Sequence, residues 1–236
     1  LNSYFLRMND AIHQNNGFID KFIGDAIMAL FDHPGGNNAN KAYDSIRAAI
    51  DLHSALAMYN QQRESVDYPP IEIGVGVHFG PVMIGTVGCD DRMDTTVIGD
   101  SVNISYRLES LAPRYNADII VSSQLLDQLT LDLKTEIAYR FVDFVRVKGR
   151  QEPIEVYEIL NHLPKDIQLS RYKTGSMIQQ GVEYRKNRDW KSAMKCFHGA
   201  LMIDPEDSLV IHHMEQCHRM RMADLAGSSD GALNMI

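Results

Sequence analysis

Residues 18–31 read Phe-Ile-Asp-Lys-Phe-Ile-Gly-Asp-Ala-Ile-Met-Ala-Leu-Phe, which sets Lys21 and Asp25 four positions apart inside an apolar segment. Charge beside a core is costly unless it is paired or bound to a ligand. A nucleotide with its metal ion would satisfy both groups. Beside Gly24, Asp25 is equally suited to forming a turn.

The second chemistry-bearing segment is residues 93–109, Met-Asp-Thr-Thr-Val-Ile-Gly-Asp-Ser-Val-Asn-Ile-Ser-Tyr-Arg-Leu-Glu. Asp100 or Ser101 can cap a helix that runs on through Leu108 and Leu111. Asn103 and Arg107 then share one face near the helix N-terminus, where backbone N–H groups favour an anion and a guanidinium adds a fork for phosphate oxygens. Pairing of Arg107 with Glu109 or Asp51 on a plain surface helix is the competing reading. The elements that position the first segment are two short strands, 18–23 and 26–31, joined tightly at Gly24-Asp25.

Together, Lys-Phe-Ile-Gly-Asp and the 93–109 block resemble the catalytic domain of class III nucleotidyl cyclases, in the family's order and at about its spacing. The resemblance covers residues 1–160. It implies an α+β sandwich with a ferredoxin-like βαββαβ palm and an antiparallel-rich sheet, two such domains forming a homodimer with each active site built across the interface. It also implies that Asp25 holds metal ions, two Mg2+ or Mn2+, and that Lys21 and Thr96 read the purine. Asn103 and Arg107 would position the ribose and stabilise the reacting phosphate. Lys21 and Asp25, on one ribbon, would serve opposite sites of the dimer.

A third block, Phe141 to Tyr157, alternates about a Lys-Gly-Arg turn and reads as a hairpin of strands 142–147 and 154–160. By resemblance, Lys148 reaches the triphosphate. The implied reaction is attack of the ribose 3′ oxygen on the α-phosphorus, with loss of pyrophosphate, a step that needs alignment and charge neutralisation. Lysine donates hydrogen bonds and threonine can accept them, which complements adenine. Guanylyl cyclases carry an acid and usually a small thiol residue at these two places, so ATP is the expected substrate and GTP the alternative. No residue is assigned as general base.

Leu1, Phe5, Met8 and Ile12 recur at helical spacing, so residues 1–14 read as the helix before the Lys21 strand. The family's opening strand and helix, with its first metal aspartate, would lie upstream of Leu1. The expectation is a fragment with little or no activity alone, the function being that of its parent.

The 236 residues are 44% apolar and 23% charged, with a net charge of −8. That balance fits a soluble globular chain and disfavours a general nucleic-acid binder. Cys89, Cys196 and Cys217 lack ligand-like spacing and read as free thiols. With no membrane span or signal peptide visible, the expected location is the cytoplasm, an upstream anchor in the parent being compatible. A long helix carries Ala42, Ile46, Ala49, Ile50, His53 and Ala57 on its apolar face, where His53 reads as a packed core histidine.

Beyond Leu160 the reading is a polar linker over 161–176, a helical region over 177–225 and a flexible tail over 226–236. Gly181, Tyr184, Ala193, Phe197, Ala200 and Pro205 fall at tetratricopeptide spacing, and a plain helical hairpin fits equally well. Either makes this region an interaction element for a protein partner or the dimer. His212, His213 and His218 beside Cys217 read as a polar helix face rather than a zinc site. A non-catalytic nucleotide-binding or scaffold module remains the third class of function.

Overall fold

A computed structural model describes residues 2–89, 92–146 and 152–225; Lys148 and the expected tail at 226–236 lie outside these residues. Helix α1, Asn2–Gln14, buries Tyr4, Met8, Ala11 and Ile12, the stripe its periodicity predicts. It packs along α2, Asn38–Glu64. Between them β1, Phe18–Ile23, and β2, Ala26–Leu30, form an antiparallel ribbon. Gly24 takes φ +65° at its tip, a left-handed conformation open to a residue without Cβ.

The main sheet has the order β3-β6-β8-β7, from strands Val75–Val77, Ile119–Ser122, Ile154–Ile159 and Tyr139–Val145 respectively. Its first pair is parallel and the other two antiparallel. A second ribbon joins β4, Met83–Cys89, to β5, Arg92–Ile98. The α+β class and the antiparallel bias are as expected, with the strands distributed over one four-stranded sheet and two separate ribbons. Two short helices, α4 (Ser123–Leu126) and α5 (Leu131–Glu136), link β6 to β7.

Strand β3 is shorter than the 71–78 run that apolar character suggests. The Asn60 side chain accepts from the Ile71 N–H and donates to its carbonyl, which removes that residue's backbone from any ladder. Helix α3, Asp100–Tyr115, lies on β3 at close range: a Cβ on Gly76 would fall 2.2 Å from the Glu109 nitrogen. Glycine at 76 is thus a condition for seating α3. Ile104, Leu108, Leu111 and Tyr115 are its buried face.

The expected linker at 161–176 is instead helical from Lys165. Helices α6 (Lys165–Lys186), α7 (Trp190–Leu201) and α8 (Ser208–Leu225) follow. Polarity in this stretch marks a buried polar network rather than a loop. Arg140 of β7 donates to Glu158 of β8 at 2.6 Å, to Thr174 of α6 at 3.2 Å and to Asp207 just before α8. Arg171 donates to the second Glu158 oxygen at 2.8 Å. All four ionised groups are thereby paired, two cations with two anions, as burial requires.

A second network joins β7 to α3, α6 and α8. Arg185 donates to both Asp143 oxygens, at 3.1 and 3.2 Å, and Tyr115 donates to Asp143 at 2.9 Å. His213 accepts from Arg185 at Nδ1 and donates from Nε2 to the Val142 carbonyl, both at 2.9 Å. Burial, with Arg185 adding to it, pushes this imidazole down to about 3, so it is neutral and fits the tautomer. His213 is therefore an internal strut and not part of a solvent-facing polar stripe.

One hydrophobic core runs through both regions, with Ile120, Phe141 and Val145 of the sheet in the same cluster as Ile178, Phe197 and Leu209 of the helices. Gly181 admits the Phe197 ring, since a Cβ there would meet it at 2.4 Å. Cys196 and Cys217 are free thiols. Among the described residues, no helix is long and apolar enough to cross a membrane.

Candidate active site

Lys21 and Thr96 are remote in sequence, on β1 and β5, yet the Lys21 ammonium donates directly to Thr96 Oγ1. A third group, which the sequence reading passed over, completes the cluster. Asp20 Oδ2 lies 3.4 Å from Lys21 Nζ and accepts from the Thr96 hydroxyl at 3.4 Å.

Neighbouring strand residues ordinarily point to opposite faces. Here the ladder pairs Ile19 with Ala29 and Lys21 with Met28, so Asp20 is the extra residue of a β-bulge. A bulge re-aims side chains in this way. It lets consecutive residues, Asp20 and Lys21, both reach Thr96. An aspartate within an apolar strand was the only trace of this in the sequence.

Proton positions follow from the donor inventory. The carboxylate takes the threonine proton and the threonine oxygen takes one lysine proton. Thr96 then keeps one lone pair to accept a further bond, and Lys21 keeps a proton to donate. The Lys21 side chain is 38% exposed while that of Asp20 is 8% exposed, so the amine faces outward over a sequestered acid. Thr96 pairs across the ribbon with Gly85, so no side chain stands opposite it on that face.

Asn103 and Arg107 stand one helical turn apart on α3, Asn103 exposed and Arg107 half-buried. The expected cap at Asp100 or Ser101 is not made. Gly99 is the N-cap and gives no side-chain bond, while Ser101 donates to the Pro81 carbonyl at 2.9 Å. Tying α3 to the turn before β4 is thus the serine's role. The first turn keeps N–H groups without a side-chain cap, a setting that favours an anion.

Asp25 is exposed at the tip of the first ribbon. Its negative charge reaches Glu109, whose carboxyl is raised first by burial and then by Asp25, and Tyr4, raised by the same two causes. A divalent cation at Asp25 would offset this repulsion, and a carboxylate is the ligand that Mg2+ or Mn2+ prefers. Lys148 lies outside the described residues.

A sequence profile described as the adenylate and guanylate cyclase catalytic domain matches residues 1–161. The chain belongs to this cyclase family. It is 40% identical over 164 residues to an adenylate cyclase of Anabaena cylindrica, covering 67% of this chain and 31% of that protein. With the terminal-differentiation specific adenylate cyclase of Dictyostelium discoideum it shares 31% over 217 residues, 92% of this chain and 10% of the relative. The chain thus spans between a tenth and a third of these curated relatives.

Among solved structures, the cyclase fold matches the adenylyl cyclase CyaB from P. aeruginosa with a TM-score of 0.60 and 27% identity, covering 69% of this chain and 83% of that one. The guanylyl cyclase Cya2 matches with a TM-score of 0.56 and 30% identity, covering 67% and 77%.

Proposed function

We propose that this chain is the catalytic part of an adenylyl cyclase, turning ATP into 3′,5′-cyclic AMP and pyrophosphate at a site completed by a second copy. The observation that carries this reading is the Lys21–Thr96 contact, with Asp20 behind it. One outward lysine proton suits an acceptor nitrogen of adenine, and the remaining threonine lone pair suits its exocyclic amine. Guanine presents a carbonyl and a protonated ring nitrogen instead. Asp20 acts as a positioning residue, since it fixes which way the Thr96 hydroxyl points.

Asn103 orients the ribose, and Arg107, with the N-terminus of α3, takes up charge on the phosphate as the 3′ oxygen attacks. Lys148 holds the triphosphate. Asp25 holds the paired ions, which when bound supply Lewis acidity to the attacking hydroxyl and to the leaving pyrophosphate. The need for a second copy draws support from exposed apolar side chains on the same ribbons and on α3. Phe22, Ile23, Met83, Ile84, Ile98 and Tyr106 are each at least 46% exposed. Helices α6 and α7 fit a tetratricopeptide-like pair, supported by the Gly181–Phe197 interlock, and would offer a docking face for a protein partner.

The test is turnover by the protein in the longest form in which it is expressed, with Mn2+ and either ATP or GTP. Cyclic AMP from ATP, with GTP a poor substrate, is the expected result. Efficient cyclic GMP formation would reverse the base assignment, and a tight nucleotide complex with neither product would leave a binding module.

A further inference from the structure

Three groups from distant parts of the chain converge away from the nucleotide site: His53 in mid α2, Asp118 just before β6, and His162 in the turn between β8 and α6. One ligand atom from each lies within 4.8 Å of the others. Among the described residues no other set of three histidine, cysteine or acidic side chains meets in this way. His53, expected as a packed core histidine, is partly buried and packs its ring obliquely against that of His162, centroids 4.8 Å apart.

The hydrogen bonding of this trio is incomplete. His162 Nε2 meets Asp118 Oδ2 at 2.8 Å, but its buried Nδ1 has no partner, and neither has the buried Nε2 of His53. The His162 side chain is 6% exposed, so this orphan nitrogen is cut off from bulk water. Unsatisfied buried nitrogens cost stability, and His53 Nε2 is open to an ion that His162 Nε2 and the Asp118 carboxylate beside it can share.

We infer that His53, Asp118 and His162 form a binding site for a zinc-class divalent ion, distinct from the Asp25 site. Two imidazoles and one carboxylate are the donor set of a borderline cation, where Mg2+ and Ca2+ want oxygen alone. Bonds near 2 Å require the three ligand atoms to draw together by roughly an ångström, within the reach of side-chain rotation. The Asp118 side chain is 49% exposed, so water completes the fourth position from that side. Bound zinc would pin α2 and the start of β6 to the turn that launches α6, fixing the helical region's exit from the sheet.

Tag-free protein, stripped with a chelator and dialysed against micromolar ZnCl2, should retain one zinc per chain and gain several degrees in Tm. Co2+ in place of zinc should give the intense visible bands of a four-coordinate site. His53→Gln and His162→Gln should each weaken zinc binding by about 100-fold or more, while Asp25→Asn leaves it unchanged. Absence of the cobalt bands in the unaltered chain overturns the site without relying on any variant. So does zinc retention that survives both histidine substitutions or disappears with Asp25→Asn.

Discussion

Lys21 donates to Thr96 across two ribbons that share no backbone ladder, so this side-chain contact sets the spacing between β1 and β5 at the site. Replacing Lys21 by Met should weaken binding of a fluorescent ATP analogue by about tenfold, the worth of one charge-assisted hydrogen bond. Unchanged affinity would remove the lysine from base recognition.

Asp20→Asn keeps the shape of the bulge but offers Thr96 a donor as well as an acceptor. The hydroxyl is then free to point outward, so preference for ATP over GTP should fall by roughly tenfold. Competition between the two nucleotides reads this directly. A variant that loses affinity for both equally would make Asp20 merely structural.

Asp25 is exposed, so Asp25→Asn should leave the free energy of unfolding within about half a kcal/mol of the parent value. Cyclic AMP formation should drop on the order of 100-fold or more with the loss of a metal ligand. Full activity at saturating Mn2+ would exclude the metal role.

The Arg140 side chain is fully buried between Glu158 and Asp207. Arg140→Met leaves Asp207 without its cation and Glu158 with Arg171 alone, and should cost about 3–5 kcal/mol in urea unfolding. Adding Asp207→Asn to the same chain should recover part of this, because the uncompensated negative charge is then gone while Glu158 keeps Arg171. No recovery would mean that packing of the guanidinium, rather than its charge, holds the junction.

His213 is neutral in the native state and surrounded by Arg185, Asp143, His212, Tyr115 and Phe197. Its folded pKa of about 3 lies below the ordinary 6.5, so the unfolded chain binds more protons between those values. Stability should therefore fall as pH drops below about 6.5, by about 2 kcal/mol at pH 5. Lowered Asp143 acts in the same direction, but only at more acid pH. Chemical denaturation at pH 7 and 5 measures the slope, and His213→Gln should reduce it, the remainder belonging to the other histidines that burial lowers, His53 and His212.

Local chemistry made the first ribbon and α3 readable: a Gly-Asp turn between apolar strands, and a 3.6-residue stripe through Ile104, Leu108 and Leu111. The meeting of Lys21 with Thr96 came from resemblance, and no local pattern encodes it. The bulge at Asp20 was illegible because strand alternation assigns faces by counting, and an extra residue breaks the count. The 161–176 stretch misled for a related reason. Its arginine, threonine and glutamine look solvated in sequence, whereas Glu158, Arg140 and the Leu160 carbonyl respectively hold them.

Asp207 belongs by position to the helical bundle, but its charge is neutralised within the sheet by Arg140. Lifting α8 away would take from the buried Arg140 guanidinium of β7 one of its two carboxylate partners, leaving Glu158 alone. The bundle is accordingly a keystone and not a passenger. Calorimetry should record a single cooperative melt for the two regions, and strain applied to the helices would arrive at β7 of the sheet.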